Sequence, residues 1–276
     1  MNSISVLMSV YKNETPERME MCLKSIWDEQ TRKPDQIVLI EDGPLTEGLY
    51  QVLNNWSEKL GSVLLRSANP KNMGLTASLN RGLKLVTSDY VARMDSDDRS
   101  ASNRFELQAN YLDCHPETYV LGGTIQEFDD DNDCLSVRRY PKDNIKGYIV
   151  KGAPVCHATV MMRMAMFRDG GISYNERYRK GQDSALWFDV LKAGYNITNI
   201  DDITYYVYCD KGMMQRRSGN AGKEFELFAK GIYGLYGPFT WRYIYPISRY
   251  IMRKMPAGVI KALYGSKLRT MIMKSQ

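Results

Sequence analysis

The chain has 276 residues, 43% hydrophobic and 25% charged, with a formal net charge of +5. This composition argues against extended disorder and suits one large domain, with or without an appendage. Five cysteines (Cys22, Cys114, Cys134, Cys156, Cys209) stand singly without a C-x-x-C pair, so neither a zinc knuckle nor a disulfide framework is indicated and reduced thiols in cytosol are expected.

In chain order, "ISVLMSVY" from Ile4 reads as a buried strand. Thr15 and Pro16 fit a helix N-cap and first position, and Met19, Cys22, Leu23, Ile26 and Trp27 form one apolar stripe after them. "QIVLIEDG" predicts a second strand ending in a Gly43-Pro44 turn, followed by a helix around 46–60 and a short strand "SVLLRS". "NPKNMG" reads as a loop, "LTASLNRGLKLV" as a helix, and "YVARM" as a strand that runs into "DSDD". Alternating strands and helices predict an α/β fold with a mostly parallel sheet, whose functional loops gather at the carboxyl ends of the strands. Glu14, Asp42 and Asp95 to Asp98 then fall along one edge. Further on, the pattern predicts a helix near 102–113, strands near 119–128 and 134–140, a helix near 142–151, a strand near 157–163 and a helix over "GQDSALWFDVLKAGY". There is no basic leader with an apolar core, and no run of 18 apolar residues.

Asp95, Asp97 and Asp98 crowd three carboxylates into four positions. Two Asp separated by one residue can reach a hard divalent cation such as Mg²⁺ or Mn²⁺, which keeps waters and a substrate diphosphate as its other ligands. The same turn would equally serve to cap a helix starting near Ala101.

"SVLMSVYKNE", "IVLIEDGP", "NMGLTASLNRGL", "YVARMDSDD", the pair Gly170-Gly171 and "QDSALWFDVLKAGY" together resemble, in order and spacing, the family 2 glycosyltransferases with the Rossmann-like GT-A fold. The resemblance spans roughly residues 3–220 and is nearest to the bacterial enzymes of O-antigen, capsule and exopolysaccharide synthesis. It implies that Tyr11, Glu14, Asp42, Asn72, Gly74 and Asp95 line the nucleotide-sugar pocket, with Asp42 on the base. It further implies that Asp97, with Asp95, ligates Mn²⁺ or Mg²⁺ and that Asp183 is the catalytic base. The family more often has Glu-Asp where this chain has Gln182-Asp183, which puts a role for the preceding acid in doubt. His157 is read either as a structural residue or as a contact to diphosphate or acceptor. Arg216 and Arg217 are read either as solvated or as phosphate contacts, since guanidinium forks suit phosphate oxygens.

From Leu227 onward there are nine basic residues and no acidic one, leaving the preceding 226 residues at a net −4. Cations interleaved with Trp, Tyr, Ile and Met predict a basic amphipathic helical segment, lying on an anionic membrane surface or packed on the domain. The expected organisation is a catalytic domain over 1–226, with a nucleotide-binding half to residue 100 and an acceptor-binding half after it, and the basic segment over 227–276. The expected activity is inverting, metal-dependent transfer of a hexose, glucose or galactose favoured, from a UDP-sugar to a polyprenyl-diphosphate-linked glycan. The product is a β-linkage in surface polysaccharide, made at the cytoplasmic face of the plasma membrane without nucleic acid. The alternatives are a non-catalytic nucleotide-sugar-binding or membrane scaffold and a haloacid-dehalogenase-type phosphatase; Arg99 after Asp98 argues against the latter.

Overall fold

Strands Ile4–Val10 (β1) and Gln36–Glu41 (β2) pair in parallel, with Val10 opposite Glu41. The computed structural model describes residues 1–131, 133–209 and 221–254. Leu64–Ala68 (β3) continues the sheet beyond β2, and Tyr90–Asp95 (β4) lies parallel to β1 on its other side with Asp95 opposite Ser9. Arg99–Ser100 (β5), Thr118–Phe128 (β6), Cys134–Arg138 (β7), Met161–Arg163 (β8) and Asn196–Tyr208 (β9) complete nine strands in the order β3-β2-β1-β4-β8-β6-β9-β5, with β7 on β6. β8 runs against β4 and β6, β5 against β9 and β7 against β6, so the sheet is mixed but mostly parallel.

Helices in chain order are Pro16–Ile26 (α1), Glu47–Leu60 (α2), Leu75–Leu83 (α3), Arg104–Cys114 (α4), the single turns Ile145–Tyr148 (α5) and Ala165–Arg168 (α6), then Gln182–Lys192 (α7), Ala221–Tyr236 (α8) and Ile244–Lys254 (α9). They cover both faces of the sheet, which is why its central strands read as continuous apolar runs. Val6, Met8, Ile37 and Leu39 face a core closed by α1, α2 and α4; Leu7, Val38 and Ile40 face the other, closed by α3, α7 and α8. The expected cap of α1 is present, Thr15 Oγ1 accepting from Arg18 N at 3.3 Å with Pro16 at the first position.

Besides the short β5 and α6, which the sequence reading did not anticipate, three elements depart from expectation. The thirteen-residue β9 has no counterpart in the sequence reading; its polar "TNIDD" centre interrupts the alternation that marks a strand. The helix expected over 142–151 is the single turn α5, and the strand expected from 157 opens with a 3₁₀ turn at His157–Thr159 before the three residues of β8.

The division expected between 226 and 227 falls inside α8. Leu227, Phe228 and Ile232 of that helix are buried in the same core as α7. Gly231 lies so close to the Phe188 ring that a Cβ would sit 2.4 Å from it. α9 turns Arg249 and Arg253 to Glu224, at 3.1 and 2.8 Å. Its opposite face presents Ile244, Ile247 and Ile251 to solvent. Residues 255–276 of the expected segment lie outside the described residues. Among the described residues no helix is long and apolar enough to cross a membrane.

Candidate active site

Register brings the candidate residues together. Because β1, β2 and β4 are adjacent and parallel, their carboxyl ends deliver Glu14, Asp42 and Asp95 to one edge. A cleft of about 350 Å³ opens there, and Tyr11, Glu14, Asp42, Asn72, Gly74, Asp95 and Asp97 all line it.

Each acid is held by a different local device. Glu14 bridges two strand ends: Oε1 accepts from Thr15 N at 2.9 Å and Oε2 from Ser96 Oγ at 2.9 Å. Asp42 organises the 69–74 loop, with Oδ1 accepting from Asn69 Nδ2 (2.9 Å) and Met73 N (2.7 Å) and Oδ2 from Gly74 N (2.9 Å). A carboxylate offers about four acceptor positions, so one remains for a ligand donor. Close approach of this loop to the turn after β2 requires Gly43, whose φ is +88° and whose Cβ would lie 2.6 Å from Asn72 N.

The three aspartates after β4 differ. Asp95 is ion-paired with the buried guanidinium of Arg93 at 2.5 Å. Asp98 does not line the cleft; its Oδ1 accepts from Tyr208 N at 2.7 Å and ties the turn to the end of β9. Burial, with Asp97 and Asp95 adding to it, pushes its carboxyl up. It does not cap α4, which starts at Arg104. Asp97 makes no ion pair among the described residues, and burial together with the charges of Asp95 and Glu14 lifts its carboxyl to about 7.

Such a site fits a divalent cation that shares its ligands with a substrate. Asp97 carries charge that the protein leaves unmatched, and the nearby donors are oxygen only. Among the described residues no group of three or more His, Cys, Asp or Glu is arranged as a closed metal cage. Diphosphate and water would have to complete the coordination.

Asp183 and His157 lie outside this cleft. Asp183 is in the first turn of α7, and burial pushes its carboxyl up against the opposing backbone N–H groups of Ser184 and its own residue. His157 Nε2 is 2.7 Å from Tyr174 Oη, and its ring meets Trp187 edge-on at 5.9 Å. Burial, assisted by Arg93, depresses the imidazole to about 3, so it is neutral. Tyr174 links the two regions: burial raises its phenol, Arg93 opposes this, and the charges of Asp183 and Asp95 both add to it. Arg216 and Arg217 lie outside the described residues.

The sequence reading missed Arg93 and Arg18. Arg18 lines the cleft, donates to Tyr208 Oη at 2.7 Å and lies over that ring at 4.0 Å. Its place in the first turn after β1, one turn beyond the Thr15 cap, was the available signal. Arg93 carried no signal, since an Arg within a strand ordinarily marks a solvent-facing position.

The sheet order and the edge cleft define a GT-A glycosyltransferase fold. Solved S. aureus TarS 1–349 in complex with UDP-GlcNAc has a TM-score of 0.70 to this chain at 18% identity, covering 93% of this chain and 77% of that one. The glycosyl transferase family 2 model matches residues 5–171. The amylovoran biosynthesis glycosyltransferase AmsE of Erwinia amylovora is 33% identical over 264 residues, 94% of this chain and 97% of the relative. An Escherichia coli UDP-Gal:α-D-GlcNAc-diphosphoundecaprenol β-1,3-galactosyltransferase is 32% identical over 218 residues, 78% of this chain and 77% of the relative. The chain belongs to glycosyl transferase family 2.

Proposed function

We propose that this chain is an inverting, metal-dependent hexosyltransferase. It moves glucose or galactose from a UDP-sugar to a polyprenyl-diphosphate-linked glycan, forming a β-linkage in bacterial surface polysaccharide. The observation that carries this reading is the single cleft in which four separate chain segments place Tyr11, Glu14, Asp42, Asn72, Gly74, Asp95 and Asp97. The E. coli relative's UDP-galactose donor and lipid-diphosphate acceptor, and the UDP-GlcNAc bound by TarS, support the substrate classes.

In this mechanism Asp42 holds the 69–74 loop against the nucleotide and offers its remaining lone pair to the base. Asp97 and Asp95 would hold Mn²⁺ or Mg²⁺, which when bound neutralises charge on the departing diphosphate as a Lewis acid. Asp183, its carboxyl raised by burial toward working pH, takes the proton of the acceptor hydroxyl as the new bond forms. One base and no enzyme nucleophile give inversion. The outward Ile244, Ile247 and Ile251 of α9 support a peripheral position at the cytoplasmic face of the plasma membrane.

The test is transfer from a panel of UDP-sugars to a synthetic GlcNAc- or GalNAc-diphosphate-lipid with Mn²⁺, with the product linkage read by NMR. Asp183→Asn is expected to lower kcat by roughly 10²–10⁴ while UDP binding persists. Unchanged turnover in that variant, or an α-linked product from an α-linked donor, would refute the mechanism.

A further inference from the structure

We propose that a second cavity, beside the start of α7, holds the diphosphate of the lipid-linked acceptor, an assignment that rests on the function proposed above. This cavity, about 560 Å³, lies between residues 152–153, the α7 N-terminus and helices α8 and α9. Its charged lining is Arg179, Lys180, Lys223, Arg249 and Arg253 against one carboxylate, Glu224, among the described residues. Glu224 is already matched, Oε1 by Arg249 and Oε2 by Arg253. Gathering like charges around one concave space is repulsive. A bound polyanion offsets that repulsion, and guanidinium groups fit phosphate oxygens in particular.

Position selects which anion. Gly181 and Ser184, which flank Asp183, line this cavity, so a diphosphate held here brings its attached sugar toward the proposed base. Leu227 and Phe228 form an apolar wall, and α9 presents Ile244, Ile247 and Ile251 on the side opposite Arg249 and Arg253. The donor diphosphate belongs elsewhere, since the two cavities share no lining residue and the carboxylates Glu14, Asp95 and Asp97 line the other.

The experiment measures binding of farnesyl diphosphate, inorganic pyrophosphate and phosphatidylglycerol vesicles to the full chain in EDTA. The wild type is compared with the double variant Arg179→Gln/Lys223→Gln, both exposed positions, and with Arg249→Gln. Farnesyl diphosphate is expected to bind at least tenfold more weakly to the double variant and to outcompete pyrophosphate on the wild type. In turnover, KM for the lipid-diphosphate acceptor rises at least tenfold while kcat stays within twofold. UDP binding with Mn²⁺, measured in parallel, remains unchanged and reports an intact fold. Equal farnesyl diphosphate binding by wild type and double variant overturns the proposal. So does equal affinity for free pyrophosphate, which assigns the site to free phosphate ligands, or loss confined to vesicles, which assigns the cations to lipid headgroups. Failure of the wild type to bind UDP would instead sink the proposed function and leave the farnesyl diphosphate result standing separately.

Discussion

The unmatched charge of Asp97 makes a prediction that opposes stability to function. Burial and the charges of Asp95 and Glu14 raise its carboxyl from the ordinary 3.8 to about 7. At ~1.4 kcal/mol per pH unit this corresponds to about 4 kcal/mol as a ceiling on the cost of ionising it in the folded, metal-free protein. Solvent reaches the carboxyl and screens part of that, so we expect about 1–2 kcal/mol. A group that titrates higher in the folded state than in the unfolded one favours folding below its unfolded value, and that contribution is lost as pH rises through about 7. In EDTA at pH ~8, Asp97→Asn should therefore melt about 2–4 °C above wild type, and at pH ~4, near the unfolded value, the gap should nearly close. Mn²⁺ should stabilise the wild type, more at the higher pH, and leave the variant nearly unmoved. Glycosyl transfer by the variant should be lost. Calorimetry at the two pH values with and without Mn²⁺ checks the stability statements, and a transfer assay checks the loss of activity. Equal melting temperatures at pH ~8 in EDTA, or equal stabilisation of both proteins by Mn²⁺, would refute the reasoning.

His157, depressed to about 3, titrates lower when folded than when unfolded, so its contribution is present above its ordinary 6.5 and is lost as pH falls toward 3. His157→Gln should flatten acid destabilisation over that window, and a pH–rate profile from 6 to 9 should show no limb that this variant removes. Asp42→Ala leaves Met73 N and Gly74 N without their acceptor, which should cost about 1–3 kcal/mol by denaturant melt and raise KM for the donor more than it lowers kcat. Gly43→Ala forces a Cβ to 2.6 Å from Asn72 N at positive φ, and should weaken UDP binding by displacing the same loop. Replacing Ile244, Ile247 and Ile251 with Ser should reduce co-sedimentation with anionic liposomes while transfer to a water-soluble acceptor is retained.

The cleft at the ends of β1, β2 and β4 was legible because its physics is local in sequence. A strand buried on both faces is a continuous apolar run, and the residues that follow it are by topology at the sheet edge, so the sequence alone places Glu14, Asp42 and Asp95 there. The region around α7 was not legible in that way. β9 hides behind "TNIDD", and the cationic cavity draws on residues 152–153, 179–184 and 223–253, which no period or motif connects. Arg93 escaped for a related reason: its burial is tolerable only beside Asp95, and a pairing two residues along a strand is indistinguishable in sequence from a solvated charge pair. The basic tail was legible as composition but not as geometry. Composition could not show that α9 would face its arginines inward and its isoleucines outward.

The differing partners of Asp95, Asp97 and Asp98 also explain why the turn carries three acids. Asp98 accepts from Tyr208 N and fixes the turn to β9, away from the cleft. Asp95 pairs with Arg93, a guanidinium so deeply buried that its other contacts, to Met94 O among them, hold it in one place. The outer two acids are thereby anchored, and the residue between them has little freedom left. Asp97 is held pointing into a cleft beside Glu14 and Asp95, where repulsion would drive a free side chain away. A lone acid at a mobile turn would swing into solvent and relieve that repulsion. Anchoring both flanks removes the escape and keeps the unmatched charge at one point in the cleft, where the proposed divalent cation, arriving with a diphosphate, would neutralise it.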